Sequence, residues 1–170
     1  MSGRTGILFV CLGNICRSPL AEGIFIAKAG AAGVLEQLDI DSCGTGAWHV
    51  GSRADPRSLA VAARHGIELP SVARQFHPAR DVARFSWFIA MDRSNARELI
   101  DRGAPASQVR LMRSFDPLLT GAGGRDLEVP DPYEWEADGF ESVFRMLDRA
   151  CDGLLAEVLG PRDERPSRSF

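Results

Sequence analysis

Four short segments of the chain read as strands: Ile7-Leu8-Phe9-Val10, Leu38 to Cys43, Phe85 to Met91 and Val109 to Met112. The first is an apolar run, too short for a helix and rich in strand formers, and the third is mostly buried. Helix signals lie between and after them. Pro19 to about Ala32 places Leu20, Ile24 and Ala27 on one face. Asp55-Pro56 supplies an N-cap and a proline at the first helical position, and Gly66 closes that segment. Asp92 to Arg102 is stopped by Gly103, and Asp138 to Leu159 carries core positions Phe140, Val143, Phe144, Leu147, Leu154, Leu155 and Val158. Pro70 to Arg80 reads as a linking segment. Phe115 to Tyr133 has no periodicity and contains Gly121-Ala122-Gly123-Gly124, and loops of that length are functional or disordered. Strands alternating with helices predict an α/β fold in three layers, a parallel sheet flanked by helices with right-handed crossovers. Residues 1–159 are expected to form a single domain, and residues 160–170, charged and proline-bearing, a disordered tail.

The first strand runs into Cys11-Leu12-Gly13-Asn14-Ile15-Cys16-Arg17-Ser18-Pro19. Gly13 and Asn14 are the residue types that most readily take positive φ, and Ser18 before Pro19 reads as an N-cap at a helix start. Strand, tight loop, helix is therefore the expectation, with the loop at the strand's carboxyl end, where open parallel sheets keep their ligands. The loop amides should turn inward toward a helix N-terminus and make an anion site. Arg17 adds a planar fork of donors suited to two oxygens of a phosphate. The same field is expected to draw the proton from Cys11 well below the free thiol value of about 8.5 and leave a nucleophile. A cysteine ending a hydrophobic strand is usually core; the glycine, the asparagine, the arginine six places on and the helix start reverse that reading.

At 170 residues the chain is long enough to bury about 70% of its unfolded surface. A net charge of −3 and the absence of any basic run give no general attraction to nucleic acid or to an anionic membrane. Anion binding must then come from a focused site. Ile7 to Leu12 is shorter than a signal core, and no run approaches a membrane span. Cys11, Cys16, Cys43 and Cys151 form no Cys-x2-Cys pair, and the three histidines stand at no ligand spacing, so no metal or other cofactor is expected. Reduced thiols point to a cytoplasmic protein. The glycines after Cys43 make no dinucleotide fingerprint and are expected to form a loop beside the first.

Cys11-Leu-Gly-Asn-Ile-Cys-Arg-Ser-Pro-Leu-Ala-Glu22 resembles the signature of the low-molecular-weight protein tyrosine phosphatases. The similarity continues through Asp55-Pro-Arg57, Ala73-Arg-Gln75, Met91-Asp-Arg-Ser-Asn95 and Asp131-Pro-Tyr133, to about residue 159. The resemblance implies a four-stranded sheet, a phosphotyrosine-containing protein as substrate, and inorganic phosphate or other oxyanions as ligands. It also implies Cys11 as nucleophile, Arg17 as phosphate binder and Asp131 as general acid. By the same resemblance Leu12, Gly13, Asn14, Ile15, Cys16 and Ser18 form the phosphate loop. Ser42 helps hold it, and Trp48 and Tyr133 wall the entrance. Read alone, Asp131-Pro132 is also a common turn starter and Trp48 a common core residue; His49 reads as a surface residue. Glu22, one place too late for a capping box with Ser18, suits the helix dipole. Cys16 either fills space beneath the loop or forms a reversible disulfide with Cys11. Cys43 and Cys151 read as structural. A monomer is expected.

Two departures stand out. Many members carry histidine at Ser71, where it ties down the loop asparagine, so that support must be rearranged here. Glu134 replaces an aromatic residue and would disfavour acidic groups beside the phosphotyrosine. Arsenate reductases share the loop and fold but use a close downstream cysteine pair that Cys43 and Cys151 do not make. Protein arginine phosphatases carry threonine where this chain has Ile15. A non-catalytic phosphate-binding module would be expected only if Cys11, Arg17 or Asp131 were missing.

Overall fold

The computed structural model describes residues 3–119, 121 and 123–160; the tail expected at 160–170 falls almost wholly outside them. Strand β1 (Thr5–Cys11) leads through a loop to helix α1 (Arg17–Ala31), then β2 (Leu38–Gly44), α2 (Pro56–Arg64), α3 (Pro78–Arg84), β3 (Trp87–Ala90), α4 (Arg93–Asp101), β4 (Val109–Leu111) and α5 (Ala137–Leu159). All pairings are parallel and the order is β2-β1-β3-β4. The chain steps from β1 to one neighbour and then crosses to the other, so the strand order reverses at β1. Ligands of open α/β sheets bind at such a point, outside the strands' carboxyl ends.

Alternation along β1 divides the core between two layers. Ile7, Phe9 and Cys11 face a cluster built with α1, α2 and α5, where Phe9 meets Phe25 edge-on at 5.5 Å. Leu8 and Val10 face a second cluster with Phe76, Phe85 and Leu99. Both faces of the strand are covered, as parallel sheets require. In α5 the apolar stripe lies as read, buried at Phe140, Val143, Phe144, Leu147, Leu154 and Val158, with Leu155 half-buried.

Several boundaries differ from the reading. α1 begins at Arg17, with Cys16 and not Ser18 at the cap position, because the preceding residues curl into the loop and Ser18 is drawn inside the first turn. Ala27 is exposed, and the buried face runs through Leu20, Ala21, Ile24, Phe25 and Ala29. The segment read as a link, Pro70 to Arg80, ends inside α3, which is capped by the imidazole of His77, accepting from the Arg80 amide at 3.2 Å. The long aperiodic loop holds 3₁₀ turns at Pro117–Leu119 and Gly124–Leu127.

Candidate active site

The loop after β1 is held by its neighbour. Thr45 N donates to Cys11 O and Gly46 N to Leu12 O, both at 2.9 Å, so the glycine loop after β2 does lie beside the first. Gly44 allows this approach: a Cβ there would sit 2.7 Å from Leu12 O. The positive φ falls on Asn14, at 58°. Gly13 is needed for a different reason, since the His49 ring lies 3.0 Å from where its Cβ would stand.

Around the Cys11 sulfur the loop closes tightly. The Ser18 hydroxyl lies 3.0 Å from Sγ, and Asn14 N donates to Sγ at 3.3 Å. Asn14 is fixed by both ends of its amide. Nδ2 donates to Ser18 Oγ at 2.8 Å and Ser42 Oγ at 3.0 Å, while Oδ1 accepts from Arg74 N at 3.0 Å. A backbone amide on the Ala73-Arg-Gln75 segment thus holds the asparagine in a chain that has serine at position 71. Ser18 works as a link between Asn14 and the sulfur.

Arg17 is buried against the floor of the site. Nη1 donates to Asp92 Oδ2 at 2.7 Å and to Val129 O at 3.0 Å, and Nη2 reaches Asp131 Oδ2 at 3.5 Å. In the sequence Asp92 stands at a helix start and within the resembling stretch Met91–Asn95, with no role attached to it. It caps α4 through Oδ1 to Asn95 N at 2.8 Å and holds Arg17 with the other oxygen. Because capping alone accounts for an aspartate there, nothing local betrays the second contact.

These groups open onto a pocket of about 170 Å³ lined by Cys11, Leu12, Gly13, Ile15, Cys16, Arg17, Trp48, His49, Asp131 and Tyr133. Trp48 is 74% exposed and stands as a free wall, not a core residue. Tyr133, half exposed, lines the same pocket from the loop that carries Asp131. His49 is no bystander: its ring packs on Gly13 and tilts against Tyr133 with centroids 6.1 Å apart. A histidine between two glycine-rich stretches carries no periodic signal, and only the fold brings it to the rim. Asn14, Ser18 and Ser42 lie beneath the pocket wall, with their hydrogen bonds directed at the loop.

Electrostatics separate the buried groups. Burial, with Asp55 and Cys11 nearby, pushes the Cys16 thiol well above the ordinary thiol range. Burial raises Cys43 and Cys151 as well. Glu22 lies in the second turn of α1 and is 2% exposed, so desolvation and not the helix dipole governs it. Burial lifts its carboxyl to about 7, opposed by the nearby hydroxyls of Ser42 and Ser71. Its Oε1 has no hydrogen-bond partner among the described residues. No group of three or more His, Cys, Asp or Glu among those residues converges as a metal site, and no helix among them is long and apolar enough to cross a membrane.

Comparison with known proteins agrees with this geometry. A family model described as low molecular weight phosphotyrosine protein phosphatase matches residues 6–163. A low molecular weight protein-tyrosine-phosphatase of Streptomyces coelicolor is 47% identical over 89% of this chain and 92% of its own length. The low molecular weight protein-tyrosine phosphatase A of Mycobacterium tuberculosis is 40% identical over 99% of this chain and 98% of its own. Among solved structures, a protein tyrosine phosphatase from Entamoeba histolytica, crystallised with Hepes in its active site, superposes with a TM-score of 0.81. It is 35% identical, covering 91% of this chain and 96% of that one. With a cysteine loop after β1, an arginine beneath it and matches spanning nearly the whole sequence, the chain belongs to the low-molecular-weight protein tyrosine phosphatase family.

Proposed function

We propose that this chain hydrolyses phosphotyrosine in proteins, and small aryl phosphates, through a cysteinyl-phosphate on Cys11. The reading is carried by one observation: the Cys11 sulfur lies within 3.0 Å of the Ser18 hydroxyl and 3.3 Å of the Asn14 amide, in a pocket that Arg17 and Asp131 also line. The hydroxyl and the amide fix the sulfur at the mouth of the loop, where it can meet a bound phosphorus. The phosphoryl dianion docks on the loop amides and on the Arg17 fork, whose position Asp92 sets. The thiolate attacks phosphorus in line; the P–S bond forms as the P–O bond breaks, and protonated Asp131 gives its proton to the departing phenolate. Water then attacks phosphorus, Asp131 takes its proton, and the thiolate leaves to the Ser18 hydrogen bond. The loop amides and Arg17 stabilise the equatorial oxygens throughout, so the loop supplies the positive charge and no step calls for a metal or other cofactor. Trp48 and Tyr133 grip the phenyl ring between them.

Inorganic phosphate and similar oxyanions are ligands of the same loop, in line with Hepes, a sulfonate, in the Entamoeba protein's active site. Cys11 and Cys16 line the same pocket, and a disulfide formed between them when Cys11 is oxidised would make inactivation by peroxide reversible with dithiothreitol. Four thiols free of disulfides fit a cytoplasmic enzyme, and we take it to act as a monomer.

Cys11→Ser tests the core of this reading. It is expected to abolish turnover while phosphate and vanadate still bind; normal turnover would refute the nucleophile. Of peptides carrying phosphotyrosine, phosphoserine or phosphoarginine, the phosphotyrosine peptide should be cleaved fastest. Ile15, an apolar residue lining the pocket, favours the phenyl ester. Faster cleavage of phosphoarginine, or arsenate reduction with thioredoxin, would assign the chain to a different activity of this fold.

A further inference from the structure

We infer that Arg57 is the positioning residue of the acid loop, fixing Asp131 over the pocket through the backbone of Tyr133 and Trp135. The inference rests on the reading of Asp131 as general acid.

Residues 129–136 contain neither helix nor strand. Their beginning is held by Val129, whose amide donates to Met91 O at 2.7 Å and whose carbonyl accepts from Arg17 at 3.0 Å. Their far end is held by Arg57, which donates through Nη2 to Tyr133 O at 2.9 Å and through Nη1 to Trp135 O at 2.8 Å. Asp131 lies between these two anchors, and its own contact with Arg17 is long, at 3.5 Å. Within the loop, Tyr133 N donates to Asp131 Oδ1 at 3.1 Å. Tyr133 therefore passes the constraint on: its carbonyl is held by Arg57 and its amide orients the acid.

Arg57 is itself fixed. Asp55 takes Nε on Oδ1 at 3.0 Å and Nη2 on Oδ2 at 2.9 Å, a two-point pairing that keeps the fork in one plane. The guanidinium carbon lies 4.5 Å from the centre of the buried Phe140 ring and 5.8 Å from that of Tyr133. Asp55 also caps α2 through Arg57 N, and its own amide donates to Ile15 O at 2.8 Å. An unbroken chain of contacts thus runs from the nucleophile loop, through Asp55 and Arg57, to the acid. Arg57 does not line the pocket; it sets the distance between the two reacting groups without touching substrate. A lysine cannot reproduce this, because a single ammonium does not present the fork that meets one carboxylate and two carbonyls at once.

The test compares Arg57→Met and Arg57→Lys with the parent, using phenyl phosphate (a poor leaving group) and p-nitrophenyl phosphate (a good one). Both variants are expected to lose about tenfold or more in kcat/KM on phenyl phosphate and less than about threefold in kcat/KM on p-nitrophenyl phosphate, because kcat/KM excludes the hydrolysis step the two esters share, with inhibition by inorganic phosphate unchanged. In an Asp131→Asn background Arg57→Met should cost nothing further, since the group it positions has lost its proton. Equal losses on both esters, or losses that multiply in the double variant, would overturn the inference. If Arg57→Met does not fold, Arg57→Lys alone and with Asp131→Asn gives the same readouts. Should Asp131→Asn by itself show no leaving-group dependence, the general-acid reading fails instead, and the two failures are told apart.

Discussion

Asp92 and Glu22 are both carboxylates close to the Cys11–Arg17 loop, and they differ in the partners the fold gives them. Asp92 uses one oxygen to cap α4 and the other to hold Arg17 at 2.7 Å, so both oxygens have partners. Glu22 is buried, with one oxygen unpartnered and with Asp41 adding repulsion, and burial lifts its carboxyl from 4.5 to about 7. A raised carboxyl favours folding while it keeps its proton. The unfolded chain loses that proton first, so stability present below pH 4.5 falls as pH climbs toward about 7 and then levels off. Glu22→Gln keeps the shape and removes the titration. It is expected to exceed the parent by about 3 kcal/mol at a pH of about 8, the gap closing toward a pH of about 5, as read by urea melts across that range. Parallel pH profiles for the two proteins would show that Glu22 is solvated or paired after all.

At the scale of elements, the first turn of α1 illustrates how function reshapes a helix start. A serine before a proline is an N-cap signal, yet Ser18 sits inside the turn with its hydroxyl on the Cys11 sulfur. The loop holds this geometry only because β2 and its glycine loop press against it. Gly44→Ala would place a methyl group 2.7 Å from Leu12 O and 3.1 Å from Gly46 O. Both are backbone atoms that cannot swing aside, so a loss of about 1–3 kcal/mol is expected, together with weaker inhibition by inorganic phosphate. Gly30, on the exposed side of α1 with nothing within 4 Å of its Cβ position, is the matching control. Gly30→Ala should stabilise by about 0.5–1 kcal/mol and leave phosphate inhibition untouched. Thermal melts and phosphate inhibition constants on the pair decide it; equal behaviour would remove the claimed role of the close approach. The helix α3 escaped the sequence reading for a related reason. At seven residues it shows no stripe long enough to count, and its fully buried Asp81 faces Arg74 and the His77 amide, not an apolar layer.

Across the whole molecule, the pocket draws on three distant parts of the chain: residues 11–17, Trp48 and His49, and Asp131 and Tyr133. None of these segments encloses a ligand by itself, so an anion bound between them should stabilise the fold as a unit. Inorganic phosphate at about 100 times its Kd is expected to raise the unfolding free energy by about 2.7 kcal/mol in the parent and in Cys11→Ser. Arg17→Lys should lose most of that gain, because an ammonium cannot form the two-point contact. A phosphate-independent melting temperature in the parent would contradict a preformed anion site.

What the sequence determined by itself was the part governed by short-range rules. Apolar runs and helix punctuation gave the strand and helix order of a parallel α/β fold, and the Cys11–Arg17 spacing after β1 gave the position of an anion-binding loop. Charge and length confined that binding to one focused place. Tertiary structure decided which side chains meet there. Asp92 beneath Arg17 and His49 on Gly13 are contacts across long stretches of chain, as is Arg57 on the backbone of Tyr133 and Trp135, and no local spacing announces any of them. The burial of Glu22 belongs with them, since a carboxylate in a helix reads as solvated until the packing of the layers takes its water away.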